Sequence, residues 1–346
     1  MRVPCLLLIT LLMAPKVQAA DYPIPEKTSA SEPLAKTFSL EKAAAYLDAV
    51  AIHWTRDRQC ITCHTNLPYL MARPRIPGNS EGWKEVQQFL REDVARWQAG
   101  GKPRGDAYVV ATAAALAFTD AVEGKLSPST RAAFDRMWQV QKPTGEWNWL
   151  KCNWPPMEHD DYYGAVLAAV AVAIAPDDYR NSEAASAGLT RLKTYLSKNP
   201  APDRHHRALL LWASTRIPGL MSAKEQAECL DDLKRWQRHD GGWSLPSLGT
   251  YLRRDKTPNN PDAESDGYAT GLILVVLRAA GLPANDPAVT RGIAWLKNHQ
   301  RESGRWYTRS LNNDKAHYIT NAGTAMALLA LSEWGDLPTA TSPSNK

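Results

Sequence analysis

Apolar positions along this chain fall into two textures. One is amphipathic, with apolar residues three and four apart, as in "AECLDDLKRWQ" over 227–237; that spacing predicts a helix with one buried face. The other is apolar on nearly every side and rich in small residues. It appears in "DAYVVATAAALAFTD" (106–120), "YYGAVLAAVAVAIA" (162–175), "RHHRALLLWAST" (204–215), "GYATGLILVVLRAAG" (267–281) and "TNAGTAMALLALSEW" (320–334). A helix with no polar face is buried all round. The two textures alternate, so the chain reads as outer helix, turn, inner helix, repeated. An open stack of such pairs would expose the apolar inner face to water, and closure into a ring avoids this. The prediction is an all-α fold, a single α/α toroid of about five to six helix pairs.

Three turns between these helices repeat a sequence. "WQVQKPTGEWNW", "WQRHDGGWSL" and "WLKNHQRESGRWYT" each contain Gln-x-x-x-Gly-x-Trp: Gln141, Gly145 and Trp147; Gln237, Gly241 and Trp243; Gln300, Gly304 and Trp306. Repetition at fixed internal spacing marks a repeated structural unit. The Gly suits a helix end that needs positive φ, the Trp can fold a large ring over the turn, and the Gln amide can serve exposed backbone groups. These windows resemble the glutamine–tryptophan repeats of squalene–hopene cyclases, over roughly Trp83 to Trp334. The resemblance implies the α/α barrel shared with protein prenyltransferases, and an isoprenoid or other apolar small molecule as ligand. Those cyclases have two barrels, and this chain has room for one.

The chain opens "MRVPCLLLITLLMAPKVQAADYP", a basic residue, a short apolar run and small residues before Ala20. This is the layout of a secretory signal peptide over residues 1–19, and the run is too short to span a bilayer. Export to a periplasm follows, with no transmembrane segment in the mature chain. Pro and Ser/Thr crowd residues 20–39 and the tail 338–346, which read as linker and disorder. The expected layout is then a helical segment at 40–80 and the toroid at 81–337. The formal charge of +5 falls by two when Arg2 and Lys16 leave with the signal. No basic run with interleaved aromatics occurs, which argues against nucleic acid.

Within 40–80 lies "RQCITCHTNLPYLM". Cys60, Cys63 and His64 form Cys-x-x-Cys-His, the attachment pattern for one covalent c-type haem, two thioethers to the cysteines and the histidine as axial iron ligand. Export fits, because such haem is attached outside the cytoplasm. A Cys60–Cys63 disulfide and half of a zinc site are the alternatives, weakened by the lack of a second pair at zinc spacing and of a thioredoxin-like βαβ pattern. Met71 is a candidate sixth ligand, with Met157, His159 and His53 as others. Cys152 and Cys229 remain, as buried thiols or a pair.

"WPPMEHDDYYGAV" gathers Glu158, Asp160 and Asp161 before an inner helix. The resemblance puts Asp160 at the cyclases' proton donor, with Asp161 beside it and Glu158 replacing the first Asp of their Asp-x-Asp-Asp. Crowded carboxylates raise one pKa, so a retained proton could initiate cyclisation or isomerisation. Acids at a helix start also cap free N–H groups. Asp262, Glu264 and Asp266 precede another inner helix, and His205, His206 and His317 stand at such starts, where capping or packing accounts for them. Three functions follow: a haem-bearing cyclase relative with acid chemistry, an electron-transfer or redox-sensing protein with a periplasmic redox partner, and, more distantly, a polysaccharide-acting enzyme.

Overall fold

The computed structural model describes residues 21–78 and 81–337; the signal peptide and the tail assigned from sequence lie outside them. Twelve α-helices and no strand occur among the described residues. They run as six pairs: α1 (Leu40–Arg58) and α2 (Asn66–Ala72), α3 (Glu81–Gln98) and α4 (Asp106–Glu123), α5 (Pro128–Gln139) and α6 (Asp161–Ile174), α7 (Glu183–Lys198) and α8 (Arg204–Ser214), α9 (Ala223–Arg235) and α10 (Gly267–Ala279), α11 (Pro287–Asn298) and α12 (Ile319–Glu333). The even-numbered helices pack in succession, and α12 returns to α2, which closes the ring. Every residue of α6 after Asp161 is buried, whereas α9 buries only Cys229 and Leu233. That contrast is the inner and outer texture of the sequence made physical.

The repeat is the clasp between neighbouring pairs. In each window the Trp indole donates to a carbonyl ten residues back: Trp147 to Met137, Trp243 to Leu233, Trp306 to Leu296, all at 2.7–2.8 Å. The Gln amide donates to its own turn's Gly carbonyl and to a backbone carbonyl of the next outer helix or its N-cap. Gln141 reaches Gly188 of α7 at 3.1 Å, and Gln237 reaches Ala288 of α11 at 2.8 Å. Gln300 reaches Ser39, the N-cap of α1, at 2.9 Å, and its own oxygen accepts the Ser39 N–H at 2.6 Å. The third repeat therefore fastens the end of the ring to its beginning. The glycines hold φ of +112°, +95° and +95° and lie against the backbone of α7, α11 and α1. Only a residue without Cβ allows both.

Two boundaries differ from those expected. Residues 40–72 are not a unit ahead of the toroid but its first pair, because α1 packs on α3 and α12, and α2 fills the gap between α12 and α4. A buried ion pair locks this pair: Arg73 makes two bonds to Asp48, at 2.8 and 3.1 Å, and the Tyr69 hydroxyl donates to the same carboxylate. Residues 21–38 are not solvated linker either. Glu32 accepts from Arg305 Nε at 2.5 Å and from Ser303 N at 2.8 Å, and Ala35 N donates to Gln300 O. Arg305 is only 3% exposed, so the segment gains a charge-assisted anchor that Pro/Ser composition does not reveal.

Candidate functional site

The Cys-x-x-Cys-His stretch is the turn between α1 and α2. Gln59 ends α1 in the left-handed region (φ 50°) and swings the chain inward. Cys60 is half-buried, Cys63 is buried, and both thiols are free. They line one groove of about 450 Å³, walled by Ile61, Tyr108, Ala111 and Trp149, with Arg104 and Glu158 also on its lining. A volume of that size lies within the range of small-molecule and cofactor sites. Burial raises the Cys63 thiol well above its ordinary pKa, so it stays protonated at neutral pH.

His64 does not line that groove. Its ring stacks on Tyr318 (centroids 5.2 Å apart, 14° between planes) and meets Trp54 edge-on at 5.0 Å. Nδ1 lies 2.8 Å from the Thr65 hydroxyl, which accepts from Asn321 at 3.0 Å; Asn321 in turn accepts from the Tyr46 hydroxyl at 2.7 Å. This network ties the imidazole to α1 and α12. Burial depresses its pKa to about 4, so the ring is neutral at pH 7. The indole N–H of Trp54 beside it is buried without an acceptor.

As a test of fit to a haem, the donor types are right but not gathered on one surface: two unpaired thiols open on one largely apolar groove, while the neutral imidazole, held from its Nδ1 side beside an orphaned indole donor, lies off that groove. Met71 does not line that groove, although Cys63 borders both it and the void that Met71 lines. This void, at the ring's centre, is also lined by Met157, Met326, Tyr163, Tyr268 and Trp212. His53 is taken by the Tyr22 carbonyl at 2.9 Å, and His159 packs edge-on against Tyr251. The central void is about 20 Å³, room for about one water molecule. Among the described residues, that void is too small for an isoprenoid.

The three acids do not converge. Glu158 faces the thiol groove, and burial raises its pKa. Asp161 accepts from Trp149 N at 3.0 Å and pairs with Lys151 at 3.2 Å. Asp160 caps α6 through Tyr163 N and lies 3.3 Å from His206 Nε2. His206 is also 2.7 Å, through Nδ1, from Asp203, whose other oxygen accepts from the Tyr251 hydroxyl at 2.6 Å. Burial opposes ionisation of Asp160, but the hydrogen bond and charge of His206 outweigh it and hold the carboxyl below its ordinary range. Burial likewise opposes the His206 imidazolium, and the two carboxylates overcome it, raising its pKa to about 9. The retained proton expected on Asp160 therefore sits on His206. Sequence reasoning missed the partnership because Asp160 and His206 start different helices; only the Asp203-x-x-His206 capping spacing was legible. Cys229 is buried on α9 against the Arg207 carbonyl, while Cys152 is exposed in the loop before α6, and neither is paired. Asp266 caps α10, as its position implied.

Residues 212–335 match the model of the squalene-hopene cyclase C-terminal domain. A squalene–hopene cyclase of Zymomonas mobilis subsp. mobilis is 24% identical over 246 residues, 57% of this chain and 35% of that protein. The chain thus spans about a third of the length of that curated relative. Among solved structures, a wild-type glycosidase superposes with a TM-score of 0.52 at 13% identity, covering 86% of this chain and 98% of its own. A type II terpene cyclase from Scytonema, in complex with merosterolic acid A, gives 0.48 over 85% of this chain and 97% of its own, at 13% identity. The chain folds as an α/α toroid, and its residues 212–335 are similar to the squalene-hopene cyclase C-terminal domain.

Proposed function

We propose that this toroid carries one c-type haem on Cys60 and Cys63, with His64 as axial ligand, and works after export as an electron-transfer or redox-sensing protein. The observation that carries the reading is the pair of free thiols opening on one largely apolar groove, directly followed in sequence by a neutral, oriented imidazole. When bound, such a group supplies one-electron chemistry whose potential is set by axial ligand and burial. The chain's own residues would do the rest. Thr65 and Asn321 fix the His64 ring, the kind of outer support that ligating histidines receive. Arg104 offers a cation at the groove to meet carboxylates, and Ile61, Ala111 and Trp149 exclude water.

Acid-initiated isoprenoid chemistry has less behind it. It needs a chamber, and the void that Met71 and Met157 line is about 20 Å³; it needs a protonated Asp160, and His206 holds the proton. An imidazolium with a pKa near 9 is a weak acid toward an alkene. Sugar-chain chemistry has one specific observation in its favour, Glu158 with its raised pKa on the same groove as Asp106. Release of reducing ends that disappears in Glu158→Gln would bring that reading forward.

The test is a pyridine haemochrome spectrum of chain exported from a host with cytochrome-maturation machinery, repeated with Cys60→Ala and Cys63→Ala. Haem that stays with the wild type through denaturing electrophoresis, and is lost from the double variant, supports the proposal. A folded, colourless wild type overturns it.

A further inference from the structure

We propose that Asp203, His205 and His206, at the start of α8, form a binding site for one divalent transition-metal ion of the zinc class, separate from the thiol groove and independent of the haem reading. One donor atom from each residue lies within 4.8 Å of the others. The two imidazole centroids are 5.2 Å apart with planes at 80°. Side by side in sequence, both rings turn into the same buried space.

His205 supplies the independent sign of a ligand. It is fully buried, its Nε2 is 2.8 Å from the Tyr268 hydroxyl, and its Nδ1 is buried with no partner. Native interiors seldom leave a ring nitrogen unmatched. Ligating histidines usually have their second nitrogen held by an outer group. Tyr268 stands in that position for His205, and the Asp160 carboxylate lies at ion-pair distance, 3.3 Å, from His206 Nε2. Bonds of about 2.1 Å in a tetrahedral site place donors roughly 3.4 Å apart, so small side-chain rotations close the present spacing.

The chemistry selects the ion. Two nitrogens and one oxygen suit zinc and its neighbours rather than calcium or magnesium, which take oxygen shells. Asp160 and Asp203 bring two carboxylates onto His206, and a dication that displaces the His206 proton on binding takes over the balance of their charge. The N-terminal dipole of α8 opposes a cation, but it is a fraction of a unit charge against two carboxylates. Three protein ligands leave a fourth position open. Asp160, with its side chain 30% exposed, marks the side that solvent can reach.

The experiment uses the full chain carrying Cys60→Ser, Cys63→Ser and Cys152→Ser, which leaves only the buried Cys229 thiol among the described residues. After chelator treatment it is dialysed against zinc and assayed for bound metal, and X-ray absorption reads the first shell. The result expected is one zinc per chain, a nitrogen and oxygen shell with two imidazoles, and affinity at least tenfold weaker in His205→Gln and Asp203→Asn. A folded chain that retains no zinc overturns the proposal, as does retention unchanged in both variants. Where a variant fails to fold, the first shell of the parent chain decides, and one lacking two imidazoles is fatal.

Discussion

Gly304→Ala probes the closure of the ring at its seam. Gly304 has φ +95°, and a Cβ built on it would sit 2.6 Å from Ala43 N in the backbone of α1. Backbone cannot swing away as a side chain can, so α1 must move off, and the two reciprocal bonds between Gln300 and Ser39 go with it. Left-handed strain in an L-residue costs about 1–2 kcal/mol, and two hydrogen bonds are worth about 1 kcal/mol each. The expected loss is ~3–4 kcal/mol. Gly281→Ala is the matched control. It has φ +82° with nothing within 4 Å of its Cβ, so it suffers only the strain of about 1–2 kcal/mol. The gain from a stiffer unfolded chain is common to both and cancels. The two variants should differ by ~2 kcal/mol, or about 3 °C in Tm, with hydrogen exchange in α1 faster only in Gly304→Ala. Urea unfolding measures the difference. Equal losses would refute closure through this clasp.

Trp243→Phe removes a buried indole donor from the Leu233 carbonyl, and urea unfolding should show a loss of about 1–3 kcal/mol. Glu32→Ala leaves Arg305 buried and unpaired, a loss of about 3–5 kcal/mol, visible as a lowered Tm. The same pair predicts a pH effect. Burial tends to raise Glu32, but its bonds from Ser303 and Arg305 prevail and lower its pKa; its contribution is present above the unfolded carboxyl pKa and lost as pH falls through the folded one. An acid titration of Tm should therefore flatten below about pH 4.5 in Glu32→Gln relative to wild type. On the proposed haem attachment, His64→Ala should keep covalent haem while shifting the Soret band, since the proposal gives attachment to the thiols and ligation to the ring.

The fold was legible where the signal was periodic and long. Five of the six inner helices were marked by their all-round apolar runs, and the three Gln-x-x-x-Gly-x-Trp windows marked the clasps. The sixth inner helix, α2, was not. Its seven residues, with Pro68 inside them, are too few to display a period, and it is recognised only by its burial between α12 and α4. The strap at 21–38 was hidden because its order comes from distant partners, Gln300, Ser303 and Arg305, rather than its own composition. The acids illustrate a different limit. Glu158, Asp160 and Asp161 are neighbours in sequence, yet the turn into α6 sends them to a groove, a histidine and a lysine. Proximity along a chain at a helix start says little about convergence in space. Capping by Asp160 and Asp266, a local interaction, was readable; the Asp160–His206–Asp203 arrangement, built from two helices, was not.

The most direct measurement on the central claim is mass spectrometry of the exported chain and its tryptic peptides. The predicted result is a mass increase of one haem, confined to the peptide that contains Cys60 and Cys63, with Cys152 and Cys229 unmodified. An unmodified peptide, or a Cys60–Cys63 disulfide in chain from a host competent to attach haem, would contradict it.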